Sequence, residues 1–310
     1  MRKTILIGTR ASRLAKWQSE SVMKQLQGIS NKYRFKAVEV PTQADEFTLE
    51  PFTPSSFRAY FKELQKSLES GDIDLAIYSM RDLPYNQPPD LSLAAIISRS
   101  DPSDVLISNG DISLNELPLG ARVGTSSSLR RAQILKFRSD FNIFECRGYI
   151  DSRIERLKDG KMDCIVLAAA SIERLGLDIN ITEYIPHSIC MPAAGQAAVG
   201  VQVRSNDNEM LELVRNLHNT RVASAVTAER TVVQCLGGKR YLPIGALAQY
   251  KEDQLQLQAI IVSYDGQNSV RAYAVGDSFR PEELGHKVAE SLLSRGGDKI
   301  LENMGERESI

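Results

Sequence analysis

The sequence predicts an α/β fold made of two similar α/β lobes followed by a small α+β C-terminal domain, and three observations predict it. The 310 residues exceed one ordinary core and suit two or three domains of roughly 100 residues each. Short apolar runs alternate with stretches of helical period, the pattern of βαβ units that favours a parallel sheet. Finally, Ile7-Gly8-Thr9 and the later Gly71-Asp72-Ile73-Asp74-Leu75-Ala76-Ile77 recur as Val123-Gly124-Thr125 and Gly160-Lys161-Met162-Asp163-Cys164-Ile165-Val166, a weak internal echo that two similar lobes explain.

The elements follow in order. Thr4 to Gly8 reads as a short buried strand, and the polar turn Thr9-Arg10-Ala11-Ser12 leads into a helix carrying Leu14, Trp17, Val22 and Leu26. Phe35 to Val40 is a second strand; Pro41 to Ser55, rich in Thr, Pro and acidic residues, reads as a long loop of the kind that forms lids. A helix from about Ser56 to Ser70 presents Tyr60, Leu64 and Leu68 at four-residue spacing, closes at Gly71 and leads to the strand Leu75 to Ser79. Leu91 to Ser98 and Val105 to Ser108 are further strands, with Asp101-Pro102-Ser103 a crossover between domains. In each copy of the echo a Gly-Thr turn precedes a helix N-terminus, where free N–H groups favour an anion, so two facing lobes would form one anion-lined cleft. From Thr227 to Cys235 a short helix leads to Leu236-Gly237-Gly238. The runs Ile244 to Tyr250, Leu255 to Val262 and Val270 to Val275 read as antiparallel strands, and a last helix, Glu282 to Leu293, stops at Gly296-Gly297. The expected domains are residues 1–98 with 196–216, residues 103–192, and residues 220–310.

Composition excludes several classes. Lys and Arg total 38 against 39 Asp and Glu, so there is no overall basic field of the kind that binds nucleic acid. No run approaches the ~18 apolar residues of a membrane span, and the N-terminus lacks a signal-type apolar core, so the expected location is the cytoplasm. Cys146, Cys164, Cys190 and Cys235 are scattered without zinc spacing, the three histidines lie in no metal or dyad motif, and no metal is expected.

Two constellations carry chemistry. Arginines stand where helix propensity does not ask for them: Arg10 in a turn, Arg130 and Arg131 at a helix start, Arg147 before a glycine, then Arg153 and Arg174. The guanidinium fork binds carboxylates bidentately and keeps its proton, so the set suits a substrate with several carboxylates; ordinary surface salt bridges are the plainer alternative. The second is Tyr78-Ser79-Met80-Arg81-Asp82-Leu83-Pro84, a polar run at the carboxyl end of an apolar strand, the edge where open α/β sheets place their sites. Asp82 there could hold a substrate N–H and stabilise developing positive charge, or simply cap a turn.

These residues resemble the hydroxymethylbilane synthase (porphobilinogen deaminase) family nearly end to end. Ile7 to Ala15, Gly71 to Pro84, Gly124 to Arg131, Arg147-Gly148, Leu167 to Leu177, Pro192 to Gln196 and Pro243 to Ala246 carry the likeness. The resemblance implies two lobes of the periplasmic-binding-protein type plus a third domain, a monomeric cytoplasmic enzyme, and head-to-tail condensation of four porphobilinogen units with loss of ammonia. It also implies a dipyrromethane cofactor bearing the growing chain. By the same resemblance Asp82 assists deamination. The six arginines, with Ser79, Arg81, Thr125, Ser127, Ser128 and Gln196, line the site for a pyrrole polycarboxylate; Arg58 belongs to the lid, and Gly237, Gly238 and Lys239 to the cofactor loop.

The chain departs from the family pattern near that site. The cysteine that forms the family's thioether after the Gly-Gly pair is replaced by Lys239-Arg240-Tyr241-Leu242 before Pro243, so the anchor is absent and the loop one residue longer. Tyr78 stands for a histidine, Arg81 for a lysine, and Ser55 to Tyr60 replace a glycine-rich lid motif. One extra serine leaves the register of Arg130 and Arg131 open by one position. Three readings follow: a synthase without the usual covalent cofactor, a paralogue making a shorter or different pyrrole product, and a noncatalytic binder of a pyrrole polycarboxylate.

Overall fold

A computed structural model of the chain describes residues 3–41, 54–239 and 241–306, apart from the side chains of 54–60, 305 and 306. The expected lid loop falls mostly on residues 42–53, outside the described residues, and so does the Arg58 side chain. The chain divides into two compact units. The first comprises Met1–Ser100, Arg174–Gly176 and Ala197–Ala223, and the second Asp101–Glu173, Leu177–Gln196 and Ser224–Ile310.

In chain order the elements are β1 (Lys3–Thr9), α1 (Arg13–Ile29), β2 (Tyr33–Glu39), α2 (Pro54–Ser70), β3 (Leu75–Ser79), β4 (Leu91–Arg99), β5 (Asp104–Ser108), β6 (Arg122–Gly124), α3 (Ser128–Phe137), β7 (Asn142–Phe144), α4 (Ile150–Lys158), β8 (Cys164–Ala168), α5 (Ala169–Leu175), β9 (Glu183–Tyr184), β10 (Ala198–Arg204), α6 (Asn208–Arg215), α7 (Thr220–Cys235), β11 (Ile244–Lys251), β12 (Gln254–Val262), β13 (Ser269–Asp277), α8 (Pro281–Leu292) and α9 (Asp298–Glu306).

The first unit is built on a five-stranded sheet of order β2-β1-β3-β10-β4. β1 runs parallel to β2 and β3, whereas β10 returns antiparallel between β3 and β4. The sheet is therefore mixed rather than wholly parallel, because the chain leaves this unit after Ser100 and delivers the inner strand β10 only on its return at Ala197. Ile5, Ile7, Leu75, Ile77, Val199 and Val201 form its buried centre, with Val22 and Leu26 of α1 and Met210 and Val214 of α6 packed on them. Trp17 leaves that apolar stripe and is 38% exposed.

The second unit repeats the plan. Its sheet has the order β7-β6-β8-β5-β9, with β6 parallel to β7 and β8 and β5 antiparallel to β8 and β9. Both faces are covered: Leu106, Cys164 and Val166 point into one core, and Val105, Ile107, Ile165 and Leu167 into the other. An antiparallel sheet, β11-β12-β13, completes this unit, joined to the second lobe by Ala132 and Met191 against Leu247, Ile260 and Val262. The last helix does not stop at the glycine pair as expected. Gly296 adopts a φ of 97°, the helix kinks, and α9 continues from Asp298.

The internal echo has a structural meaning. The Leu6 N–H donates to the Asp74 carboxylate at 2.8 Å while the Asp74 N–H donates to the Leu6 carbonyl at 2.8 Å. In the second lobe Arg122 and Asp163 exchange the same two bonds at 2.7 and 2.9 Å. A Cβ on Gly8 would run into Ile73, and one on Gly124 into Met162 and Ile165, so each glycine lets the preceding loop close over its strand. The result is two α/β lobes of matched topology and a small α+β domain.

Candidate functional site

In the first unit β3 ends at Ser79 and the chain turns at once. The Met80 N–H donates to the Ala198 carbonyl at 2.9 Å, and the Ser79 carbonyl accepts from the Asp82 and Leu83 N–H groups at 2.9 and 3.2 Å. Met80 and Leu83 are buried. Two apolar anchors thus hold Arg81 and Asp82 between them, half-buried, at the carboxyl end of the central strand. Arg10 leaves the carboxyl end of the neighbouring parallel strand β1, also half-buried, just before Ser12, whose hydroxyl caps α1 by accepting from the Ala15 N–H at 3.2 Å. An acid and two cations therefore share one sheet edge. Tyr78 lies beneath, buried beside Phe61 with ring centroids 6.1 Å apart, and burial with the nearby Glu69 charge raises its phenol so that it stays protonated.

Arg174, expected in the second lobe, groups with the first unit. Its guanidinium lies 5.6 Å over the Trp17 ring and donates to the Ala197 carbonyl, and only 8% of the residue is exposed. The contact explains the exposed tryptophan: its face carries a cation.

In the second unit Thr125 is buried after β6, its N–H donating to the Phe144 carbonyl at 3.0 Å. Ser127 caps α3, accepting from the Arg130 N–H at 3.4 Å, and the Ser128 hydroxyl donates to the Tyr241 carbonyl at 2.6 Å. Ser127 thus fixes the helix start, with Arg130 in the first turn.

Arg130 turns its fork inward. It is 5% exposed, its Nη2 donates to the Asp104 carboxylate at 2.7 Å and its Nη1 to the Val166 carbonyl at 3.2 Å. Burial alone would lower the guanidinium's affinity for its proton, but the charge and hydrogen bond of Asp104 outweigh it and the net direction is upward. Gln196 is likewise turned inward, donating to Asp104 and to the Pro102 carbonyl, each at 2.7 Å. Both placements have one cause. Asp104, itself buried, needs donors, and Cys190 adds a third at 3.3 Å. A lone acid heading the apolar run 105–107 is the signal that could have exposed this role.

In this unit Arg131, Arg147 and Arg153 keep exposed surface. Arg131 is exposed on α3, Arg147 is half-buried and paired with Glu145, and Arg153 is half-buried with its Nε donating to the Gly148 carbonyl at 2.9 Å. Gly148 has a φ of 97°, which few side chains tolerate, and this turn sets Arg147 and Arg153 on either side of the α4 N-terminus. Sequence reasoning also missed Glu229, fully buried in α7, which accepts from the Gly195 N–H at 2.8 Å and the Ala248 N–H at 2.7 Å.

The loop after α7 turns through Gly237 and Gly238, with φ of 102° and 64°. Lys239 follows, exposed, its Nζ 5.7 Å over the Tyr241 ring. Cys146, Cys164 and Cys190 are buried, and the exposed Cys235 ends α7 with its sulfur 3.1 Å from His286 Nδ1. Burial and the Glu290 charge push that thiol up, away from the nucleophilic thiolate. Among the described residues no group of three or more His, Cys, Asp or Glu side chains could hold a metal ion, and no helix is long and apolar enough to cross a membrane.

A family model described as porphobilinogen deaminase, dipyromethane cofactor binding domain, matches residues 5–212, and one described as porphobilinogen deaminase, C-terminal domain, matches residues 223–294. A porphobilinogen deaminase of Desulforudis audaxviator is 39% identical over 302 residues, covering 97% of this chain and 98% of that protein. One from Coxiella burnetii is 41% identical over 305 residues, covering 98% of each. Among solved structures, a Burkholderia cenocepacia nutrient binding protein bound to methionine aligns at 15% identity and a TM-score of 0.44, covering 70% of this chain and 93% of that one. The Bordetella pertussis BvgS VFT2 domain aligns at 14% and 0.43, covering 73% and 93%.

Proposed function

The chain belongs to the porphobilinogen deaminase family, and from that premise we propose that it condenses porphobilinogen units with release of ammonia, as a monomer in the cytoplasm. The observation that carries this reading is the turn at the end of β3, where Met80 and Leu83 are buried and Asp82 is left half-buried between them.

Porphobilinogen must lose its aminomethyl nitrogen as ammonia, and the pyrrole nitrogen supplies the electron pair that expels it. The ring then carries positive charge until the free α-carbon of an acceptor pyrrole forms the new carbon–carbon bond and gives up its proton. Asp82 holds the pyrrole N–H and steadies that charge, the type of interaction that strengthens as charge develops. Arg10, Arg81, Arg131, Arg147 and Arg153 pair with the substrate's acetate and propionate groups. Ser79, the last residue of β3, and Thr125, just after β6, orient those groups by hydrogen bonding. Arg130, Arg174 and Gln196 act one step back, holding backbone and Asp104 in place.

Incubating the protein with porphobilinogen, measuring ammonia and weighing the products by mass spectrometry tests the reading. A linear tetrapyrrole with one ammonia per unit consumed is expected; unchanged porphobilinogen that nonetheless binds would make the chain a noncatalytic binder. A second reading, a paralogue releasing a dipyrrole or tripyrrole, is favoured by Lys239, which follows the Gly237-Gly238 pair where a thiol tether would stand. Asp82→Asn should lower turnover by about 100-fold or more at unchanged melting temperature, the scale of losing one charge-stabilising group; near-normal turnover rejects the role given to Asp82.

A further inference from the structure

We propose that a cavity between the β12–β13 turn and α9 is a regulatory site for a small organic phosphate or carboxylate, whose binding is felt by α3. The site goes beyond the deaminase reading: none of the residues given to porphobilinogen lines it, and only its consequence for that substrate rests on the reading.

The cavity measures about 670 Å³, the size of small-molecule sites and far more than a bare ion fills, and all of it belongs to the second unit. One wall is the turn between β12 and β13. The Ser263 N–H donates to the Asn268 carbonyl at 2.8 Å, and the Asn268 N–H donates back to the Ser263 hydroxyl at 2.9 Å. The Asp265 carboxylate accepts from that hydroxyl at 2.5 Å and from the Gln267 N–H at 3.1 Å. The other wall is the kink at Gly296 and the first turns of α9. Arg295, exposed at the kink, donates through Nη1 to the Arg271 carbonyl of β13 at 3.2 Å, which holds its guanidinium along the strand. Lys299 and Asn303 follow four residues apart on one face of α9, both exposed, with Ile300 and Met304 buried beside them.

Charge selects the ligand. The lining holds two cations and one acid, and the acid, Asp265, is engaged within its own turn. A guanidinium fork fixed at one side and a compact ammonium at the other match the oxygens of a phosphate or carboxylate. Asn268 and Asn303 add amide donors and acceptors for a polar body, and the apolar floor of Ile300 and Met304 suits an organic occupant. The tip of the same turn carries the effect onward. Gly266 is buried, and a Cβ built on it would stand 2.5 Å from the Lys136 nitrogen and 2.8 Å from the Ala132 carbonyl oxygen, so the tip rests directly on the α3 backbone. α3 is the helix that Ser127 caps and that presents Arg131. An occupant that bridges Arg295 and Lys299 to Asn268 ties the turn to α9 and restrains its tip against α3.

The test uses the whole chain at low ionic strength, with AMP and succinate as probes and adenosine as the uncharged control. Calorimetry should show AMP or succinate binding and adenosine not binding. The affinity should fall about tenfold in Lys299→Gln, as for one charge-assisted contact, and return in Lys299→Arg. Lys299 is exposed, so the melting temperature should stay unchanged in both variants. Arg131→Gln should leave the affinity as it is, which separates the cavity from the arginines given to porphobilinogen. On binding, hydrogen exchange should slow at residues 263–268 and at residues 132–136 of α3. No binding of either anion up to about 10 mM, equal binding of adenosine, or an affinity that falls in Arg131→Gln but not in Lys299→Gln overturns the proposal. Binding without slowed exchange in α3 also overturns it. These readouts need no turnover, so a failure to release ammonia from porphobilinogen would remove the deaminase reading and leave this site standing.

Discussion

Asp82 and Arg130 show opposite uses of a charged side chain. Asp82 is kept half-open because its neighbours Met80 and Leu83 take the buried positions of the turn. Arg130 sits in a helix start that looks like an anion site, yet a carboxylate from β5 reaches it first. Removing one member of a buried ion pair leaves the other uncompensated, so Arg130→Met should cost about 3–5 kcal/mol in chemical denaturation. A loss below about 1 kcal/mol would show that Asp104 does not depend on it. The difference was not legible in the sequence. Asp82 announces itself by a polar run at the tip of an apolar strand, a local pattern. Arg130 and Asp104 are 26 residues apart: an acid at the head of an apolar run signals a need for donors, but not which residue supplies them.

At the scale of elements, the strands and the glycine turns were readable because their causes are local: short continuous apolar runs, buried on both faces, and a Gly-Thr step before a capped helix. The antiparallel return of β10 was not, since its partners β3 and β4 precede it by about a hundred residues. One inter-element tie has a pH signature. Glu209 of α6 accepts from Lys3 of β1, from Lys32 and from Tyr33 of β2, at 2.7, 3.2 and 2.6 Å. These hydrogen bonds pull its carboxyl from an ordinary 4.5 down to about 2. Because the folded pKa is the lower one, the unfolded chain binds the extra proton between those values. The stabilisation is therefore full above pH 4.5 and drains away as pH falls toward 2. Asp163, lowered by Arg122, acts in the same direction. Glu209→Gln should flatten the rise of stability with pH across this window, measured by urea denaturation at several pH values; an unchanged slope would remove the tie from the account.

At the scale of the whole molecule, the composition is near neutral, with 38 basic against 39 acidic residues, so the cations proposed to meet the substrate owe their effect to placement. Sedimentation equilibrium should give one 34.4 kDa species at micromolar concentration, and a stable dimer would contradict the monomeric reading. The paired lobes were visible in outline from the repeated Gly-Thr and Gly-x-x-Asp segments. Their equal strand orders, β2-β1-β3-β10-β4 and β7-β6-β8-β5-β9, make the likeness one of topology as well.

That likeness breaks at one place with evolutionary weight. After β3 the chain makes a tight turn bearing Asp82, whereas after the equivalent β8 it enters α5 at once through Ala169 and Ala170. If an ancestral half was once doubled, the copies specialised there: one left its strand tip in an open turn, the other sealed it with buried alanines. Grafting the acidic turn onto the sealed copy would then be a retracing of descent, and its failure to act would measure how far the duplicates have diverged.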